Sequence, residues 1–200
     1  MDIIATDKKK TNLIQTGNSK LKEAGILMFN LPAGNITCGR VCVGCYALKE
    51  ETRWPSVTAA RTTRLEASKQ PSFVDDIQQE LNRKRKLPRH FRLHSSGDFY
   101  SQDYIDKWEQ IAKNNPSVTF YAYTKQKRKF DFDGLMALPN FVLIDSLQYR
   151  RVNYGKKENA PKGAFICPEQ KGSDTVCGLT CTWCQTKGQA DVKGVWFVKH

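Results

Sequence analysis

Two hundred residues with 40% hydrophobic content supply one domain with a sizeable core and exclude a second full one. No apolar run is long enough to span a membrane, and the opening Met1-Asp2-Ile3-Ile4-Ala5-Thr6-Asp7, followed by Lys8-Lys9-Lys10, lacks an apolar signal region, so the cytoplasm is the expected compartment and no membrane contact is expected. A formal charge of +12 favours nucleic acid, a nucleotide or another polyanion as partner, while seven cysteines in two groups speak for metal binding rather than a disulfide framework.

Residues 1–24 are polar and Lys-rich and read as a basic N-terminal arm. Gly25 to Pro32 reads as a buried strand, released by the turn Ala33-Gly34-Asn35 into a loop carrying Cys38, Cys42 and Cys45. Tyr46-Ala47-Leu48 opens a mixed stretch, and Pro55 to Ser68 has helical character with Arg61 and Arg64 on it. Ser72 is placed to cap a helix carrying Phe73, Val74, Ile77 and Leu81, which ends at the cationic run Arg83-Lys84-Arg85-Lys86.

His90 to His94 alternates as a strand and stops at the turn Ser95-Ser96-Gly97-Asp98. Ser101 caps a helix with the stripe Tyr104, Ile105, Trp108, Ile111 and Ala112. Then come a strand Val118 to Tyr123 with Thr124-Lys125 at its end, a short helix Phe132 to Leu138, and strands Phe141 to Ile144, Gly163 to Ile166 and Val195 to Val198. This alternation predicts an α/β fold with parallel strands, a unit spanning 25–166, and a C-terminal segment 167–200. Chemistry in such folds gathers at the carboxyl ends of the strands, where these cysteines, the Ser96 to Asp98 turn and Thr124-Lys125 all fall.

Cys38, Cys42 and Cys45 are spaced three and then two residues apart. Three thiolates from one loop can hold three irons of a [4Fe-4S] cluster and leave the fourth open, although a cluster or zinc site completed by a distant ligand uses the same residues. The strand-loop-cysteine arrangement resembles the radical S-adenosylmethionine (radical SAM) superfamily. That resemblance implies a partial (β/α) barrel, an open iron that chelates S-adenosylmethionine, and formation of a 5′-deoxyadenosyl radical. It also implies that Ser96-Gly97-Asp98, a variant of the superfamily's Gly-Gly-Glu turn, receives the cofactor's amino group, with Thr124 as a further contact. The chain departs from the pattern at Gly44, where an aromatic is usual, and places Tyr46 after the last cysteine instead.

Cys167, Cys177, Cys181 and Cys184 form a complete four-thiolate set, suited to a closed [4Fe-4S] cluster or to zinc; a single C-x2-C pair favours iron. Cys177 to Cys184 matches the superfamily motif better than the first set, with Trp183 as its aromatic, but only sixteen residues follow, which makes it an auxiliary site. Leu31-Pro32-Ala33-Gly34, the Cys45-Tyr46-Ala47 ending, the His94 to Phe99 turn and this last set together resemble a bacteriophage family named for gene product eighty-eight of a mycobacteriophage. That resemblance implies a phage origin and, with it, the cytoplasm of an infected bacterial host; a host protein is a partner expected only of the non-catalytic reading. The alternative to an enzyme is a non-catalytic metal protein whose basic runs and tyrosines (Tyr100, Tyr121, Tyr123, Tyr149, Tyr154) bind nucleic acid.

Overall fold

A computed structural model describes residues 12–39, 42, 44–146, 152–155, 157–160, 162–168 and 174–198. Residues 1–11 of the expected arm, and Tyr149, lie outside these, as does the side chain of Tyr154. In chain order the elements are β1 (Gln15–Thr16), α1 (Ser19–Lys22), β2 (Leu27–Phe29), α2 (Asn35–Cys38), α3 (Tyr46–Arg53), α4 (Pro55–Lys69), α5 (Phe73–Asn82), β3 (His90–Leu93), α6 (Gln102–Asn114), β4 (Thr119–Thr124), α7 (Asp133–Ala137), β5 (Phe141–Asp145), β6 (Val152–Gly155), α8 (Ala190–Lys193) and β7 (Val195–Val198).

Strands β2 to β5 pair in parallel and in sequential order, with β1 antiparallel on the edge of β2; β6 and β7 form a separate parallel pair. The result is a mixed α/β fold around a mostly parallel five-stranded sheet. Helical connections between parallel neighbours require this layering, because each crossover must return over a face of the sheet.

Alternation along the strands sends two sets of side chains to opposite faces. Leu27, Phe29, Phe91, Leu93, Phe120, Ala122, Phe141 and Leu143 join the core built with α5, α6 and α7. Its centre is aromatic: Phe29 and Trp108 stand edge-on to one another at 5.4 Å, and Phe73 contacts both rings. Such pairs each add about 0.5–1.5 kcal/mol beyond area burial. The stripe read from the sequence on α6 is buried throughout, and Ser101 does cap that helix, accepting from Tyr104 N at 3.2 Å.

The second face carries Met28, Tyr121, Val142 and Ile144 and is covered by Leu21, Ile26, Ala190 and the cysteine-bearing C-terminal segment. Lys187 helps hold that segment down, donating to Leu138 O at 2.8 Å and Phe141 O at 3.0 Å, and also to Met136 O. These carbonyls lie where α7 ends and β5 begins.

Four expectations change. Residues 12–24 are packed, not an arm: Leu13 and Ile14 are buried, and their N–H groups donate to the buried Glu80 carboxylate at 2.7 and 2.9 Å. Tyr46–Arg53 is a helix with Ala47 as its one buried residue, a pattern too polar to show a stripe. Gly163 to Ile166 makes only an isolated bridge, Ile166 to Trp196. Ser72 flanks α5 but makes no side-chain cap; its hydroxyl donates to Asp76 instead, at 2.9 Å.

Candidate metal centres

The first cysteine loop leaves β2 through Leu31 to Gly34 and ends where Cys45 starts α3. Cys45 N donates to Cys42 O at 3.2 Å, which closes the loop into a turn. Cys38 lies at the end of α2, with Gly39 in the left-handed region as its C-cap, and is held from both sides. Thr37 Oγ1 is 3.7 Å from its sulfur, and Gln126 Nε2 donates to its carbonyl. Lys125 Nζ donates to Cys42 Sγ at 3.2 Å. The end of β4 therefore supplies a cation to the loop after β2. Burial raises the Cys38 thiol, and the nearby Asp98 and Cys42 push the same way, against hydrogen bonds from Thr37 and the backbone.

The Ser96 to Asp98 turn sits beside this loop and acts as a clasp. Asp98 is buried, and its Oδ1 accepts from Thr124 Oγ1 at 2.7 Å and Phe99 N at 2.8 Å, while Oδ2 accepts from Lys125 N at 2.8 Å. Burial lifts its carboxyl to about 6 despite these donors. Ser96 O accepts from Leu31 N at 3.0 Å, and Asn30 Oδ1 accepts from Ser95 N and Ser96 N. Gly97 has φ +79°, and a Cβ there would meet Leu31 Cβ at 2.7 Å. The four residues expected at the cofactor (Ser96, Gly97, Asp98, Thr124) are thus brought together next to the cysteine loop. Asp98, however, is turned inward and joins the ends of β3 and β4, where the sequence suggested a carboxylate offered to an amino group.

His94, just before the turn, has φ +60°, an uncommon conformation for a residue with a side chain. Its Nε2 hydrogen-bonds Tyr104 OH at 2.9 Å, and burial alone brings its pKa down to about 3, so it is a neutral ring and no proton donor near neutrality.

The second set gathers on the other face of the sheet. Cys184 lies within electrostatic reach of Cys177, Cys167 and Cys181 and is hydrogen-bonded to Tyr123; burial first, then its fellow cysteines, pushes its thiol up to about 12. Gln185 Nε2 donates to Cys177 Sγ at 3.4 Å. Cys177 and Cys181 pair through an isolated backbone β-bridge with their thiols free, Cys167 N donates to Trp196 O at 2.9 Å, and Gly178 fits against Ile26 with no room for a Cβ. Trp183 stacks on Phe165 with centroids 4.1 Å apart and donates to Gly194 O at 2.9 Å.

Among the described residues no three His, Cys, Asp or Glu side chains close around one point tightly enough to hold an ion as they stand. The donor chemistry nevertheless fits a metal-thiolate group. Soft sulfur ligands select zinc or iron-sulfur clusters, and N–H or O–H donors aimed at sulfur are what tune such centres. Lys125, Gln185 and Tyr123 supply those donors here. A coordinating cation deprotonates a thiol outright, which overcomes the burial that keeps Cys38 and Cys184 protonated in its absence.

The sequence did not single out Gln126, Arg92, Gln185 or Tyr123 as parts of these sites. Their one legible signal was position, at or near strand ends and cysteines. Tyr121 is buried, Tyr123 is half-buried beside the second set, and Tyr100 stacks on Tyr104, so these tyrosines serve packing rather than an exposed base-stacking surface. No described helix is long and apolar enough to cross a membrane.

The chain is similar to the Gene 88 proteins of Mycobacterium phages L5 and D29, at 28% and 26% identity over 71% of its length. It spans 66% and 65% of those relatives, just under two thirds of each. No solved structure matches it. The sequence model of the family described as Gene product 88 matches residues 5–193, and the chain belongs to that family.

Proposed function

We propose that this chain is an iron-sulfur protein of the radical SAM type. Cys38, Cys42 and Cys45 would hold a [4Fe-4S] cluster with one iron open to S-adenosylmethionine, and Cys167, Cys177, Cys181 and Cys184 a second, closed four-thiolate centre of iron or zinc. The observation that carries the reading is convergence. The three-cysteine loop after β2, the Ser96 to Asp98 turn after β3 and Thr124 to Gln126 at the end of β4 meet at the carboxyl end of a parallel sheet in sequential strand order, the order of part of a (β/α) barrel.

When bound, an open cluster supplies one electron to the sulfonium of S-adenosylmethionine. The residues of this chain have other tasks. Lys125 offsets negative charge at Cys42, Gln126 and Thr37 fix the Cys38 segment, and the Asp98 clasp joins the ends of β3 and β4. Gly97 allows the turn to approach Leu31 closely enough for that clasp to form.

The test is iron, sulfide and zinc content of anaerobically prepared protein, followed by the electron paramagnetic resonance spectrum of the reduced protein with and without S-adenosylmethionine. A cluster signal that shifts on adding the compound, and that is absent in Cys42→Ala, is expected. An unshifted signal would leave a non-catalytic iron-sulfur protein, and zinc without iron would rule out the open cluster.

A further inference from the structure

Arg92 lies in the middle of β3 on the face opposite the aromatic core, in register with Met28 on one side and Tyr121 on the other. Its guanidinium stands 5.4 Å over the ring of Tyr123, and its Nε is buried without a hydrogen-bond partner. Among the described residues no carboxylate lies within ion-pair distance of it. A cation in such a place is costly unless something of opposite sign stands nearby. The groups within its electrostatic reach are the phenols of Tyr121, Tyr123 and Tyr46 and the thiol of Cys177.

Phenols and a protonated thiol carry no charge near neutrality. The thiol, however, belongs to the four-cysteine set that covers this face. Four thiolates around zinc, or around an oxidised [4Fe-4S] core, carry a net double negative charge. Tyr123 bonds to Cys184, Gln185 donates to Cys177, and the Tyr121 hydroxyl lies against the Gln185 amide. Among the described residues the groups within reach of Arg92 thus include no fixed negative charge, and the partner its guanidinium lacks is an anion.

We infer that Arg92 is the internal counter-cation of the four-thiolate centre formed by Cys167, Cys177, Cys181 and Cys184, a positioning and charge-balancing residue that makes this face of the sheet selective for an anionic metal-thiolate group. The inference rests on the reading of those cysteines as a metal centre. It assigns a purpose to a half-buried charge, its Nε fully covered, that the aromatic core and the first cysteine loop leave unexplained. It also makes metal binding and the stability of the sheet interdependent, since loss of the metal leaves the Arg92 charge unbalanced between β2 and β4.

The experiment is an anaerobic Co2+ titration of the reduced full-length chain carrying Cys38→Ala, Cys42→Ala and Cys45→Ala, read by the thiolate-to-cobalt charge-transfer absorption, with thermal unfolding measured on the metal-free and Co2+-loaded forms. Arg92→Gln should weaken Co2+ binding by about 10–100-fold, the usual effect of removing an outer-shell partner, and Arg92→Lys should restore most of it. Arg92→Gln should also invert the order of stability, melting above its parent when metal-free and below it when loaded. Equal Co2+ affinity in parent and Arg92→Gln overturns the inference and leaves the metal centre standing. So does an Arg92→Gln protein that is less stable than its parent in both states, or one that fails to fold, because either outcome makes Arg92 a packing residue. A parent that shows no charge-transfer band removes the metal centre itself, and the inference with it.

Discussion

The ammonium of Lys125 donates to the sulfur of Cys42 across 3.2 Å, joining the end of β4 to a loop that is 83 residues away in sequence. A lysine beside a neutral thiol gains little, whereas beside a metal-bound thiolate it gains a charge-assisted bond. Lys125→Gln should therefore lower occupancy of the first site, with apparent metal affinity down about 10–100-fold, and leave the second site unchanged. Metal content in a Cys184→Ala background, where the first site is read alone, checks this.

Gly97 is required by both conformation and space. With φ +79° and a hypothetical Cβ 2.7 Å from Leu31 Cβ and 3.0 Å from the Leu31 and Pro32 carbonyl oxygens, Gly97→Ala combines left-handed strain with overpacking. A loss of about 2–4 kcal/mol is expected. Urea unfolding should show the midpoint falling with an unchanged slope.

Asp98 and His94 should give the stability curve two opposing arms. Asp98 has a carboxyl raised from 3.8 to about 6, so the folded protein takes up its proton first; its contribution is complete below 3.8 and is lost as pH rises through 6. His94 is lowered from 6.5 to about 3, so its contribution is present above 6.5 and is lost as pH falls towards 3. Between pH 6 and 4 the two nearly cancel. His94→Asn, which tolerates the positive φ, should expose the Asp98 arm as stability rising by about 1.4 kcal/mol per pH unit on acidification over that range, and Asp98→Asn should expose the opposite slope. Urea midpoints measured from pH 7 to pH 4 decide it.

Glu80 ties down the start of the described chain. Its carboxylate oxygens accept from Leu13 N and Ile14 N, and Arg64 Nε donates to Leu13 O at 2.8 Å. Glu80→Ala leaves two buried N–H groups unpartnered, with an expected cost of about 2–4 kcal/mol. Proteolysis should then cut near residues 12–18 well before the sheet unfolds. Cleavage no faster than in the parent would show that Arg64 and the β1–β2 pairing hold this segment on their own.

Elements with strong local patterns were legible from residues alone. The stripe on α6 and the apolar runs of β2 to β5 and β7 came through because burial writes a period of 3.6 or 2 into the chain. The short edge strand β1 and helix α3 did not. Each buries too few side chains to leave a period, and each is fixed by distant partners, Glu80 for the residues before β1 and Arg61 for α3, where Arg61 pairs with Glu50 at 2.7 Å and Glu51 at 2.8 Å.

The sequence by itself determined which atoms are available for chemistry: seven thiols in a set of three and a set of four, one beside the turn after a strand and one in the C-terminal segment. Thiol spacing is a local property, set by the few residues of one loop. Only the tertiary structure decided what those thiols face. Parallel pairing of β2, β3 and β4 brings Lys125 to Cys42 and turns Asp98 inward to Thr124, and docking of the C-terminal segment on the second face sets Cys177 and Cys184 over Arg92 and Tyr123. Charge balance in a protein interior depends on distances of a few ångströms between residues far apart in sequence, and chain folding alone sets those distances.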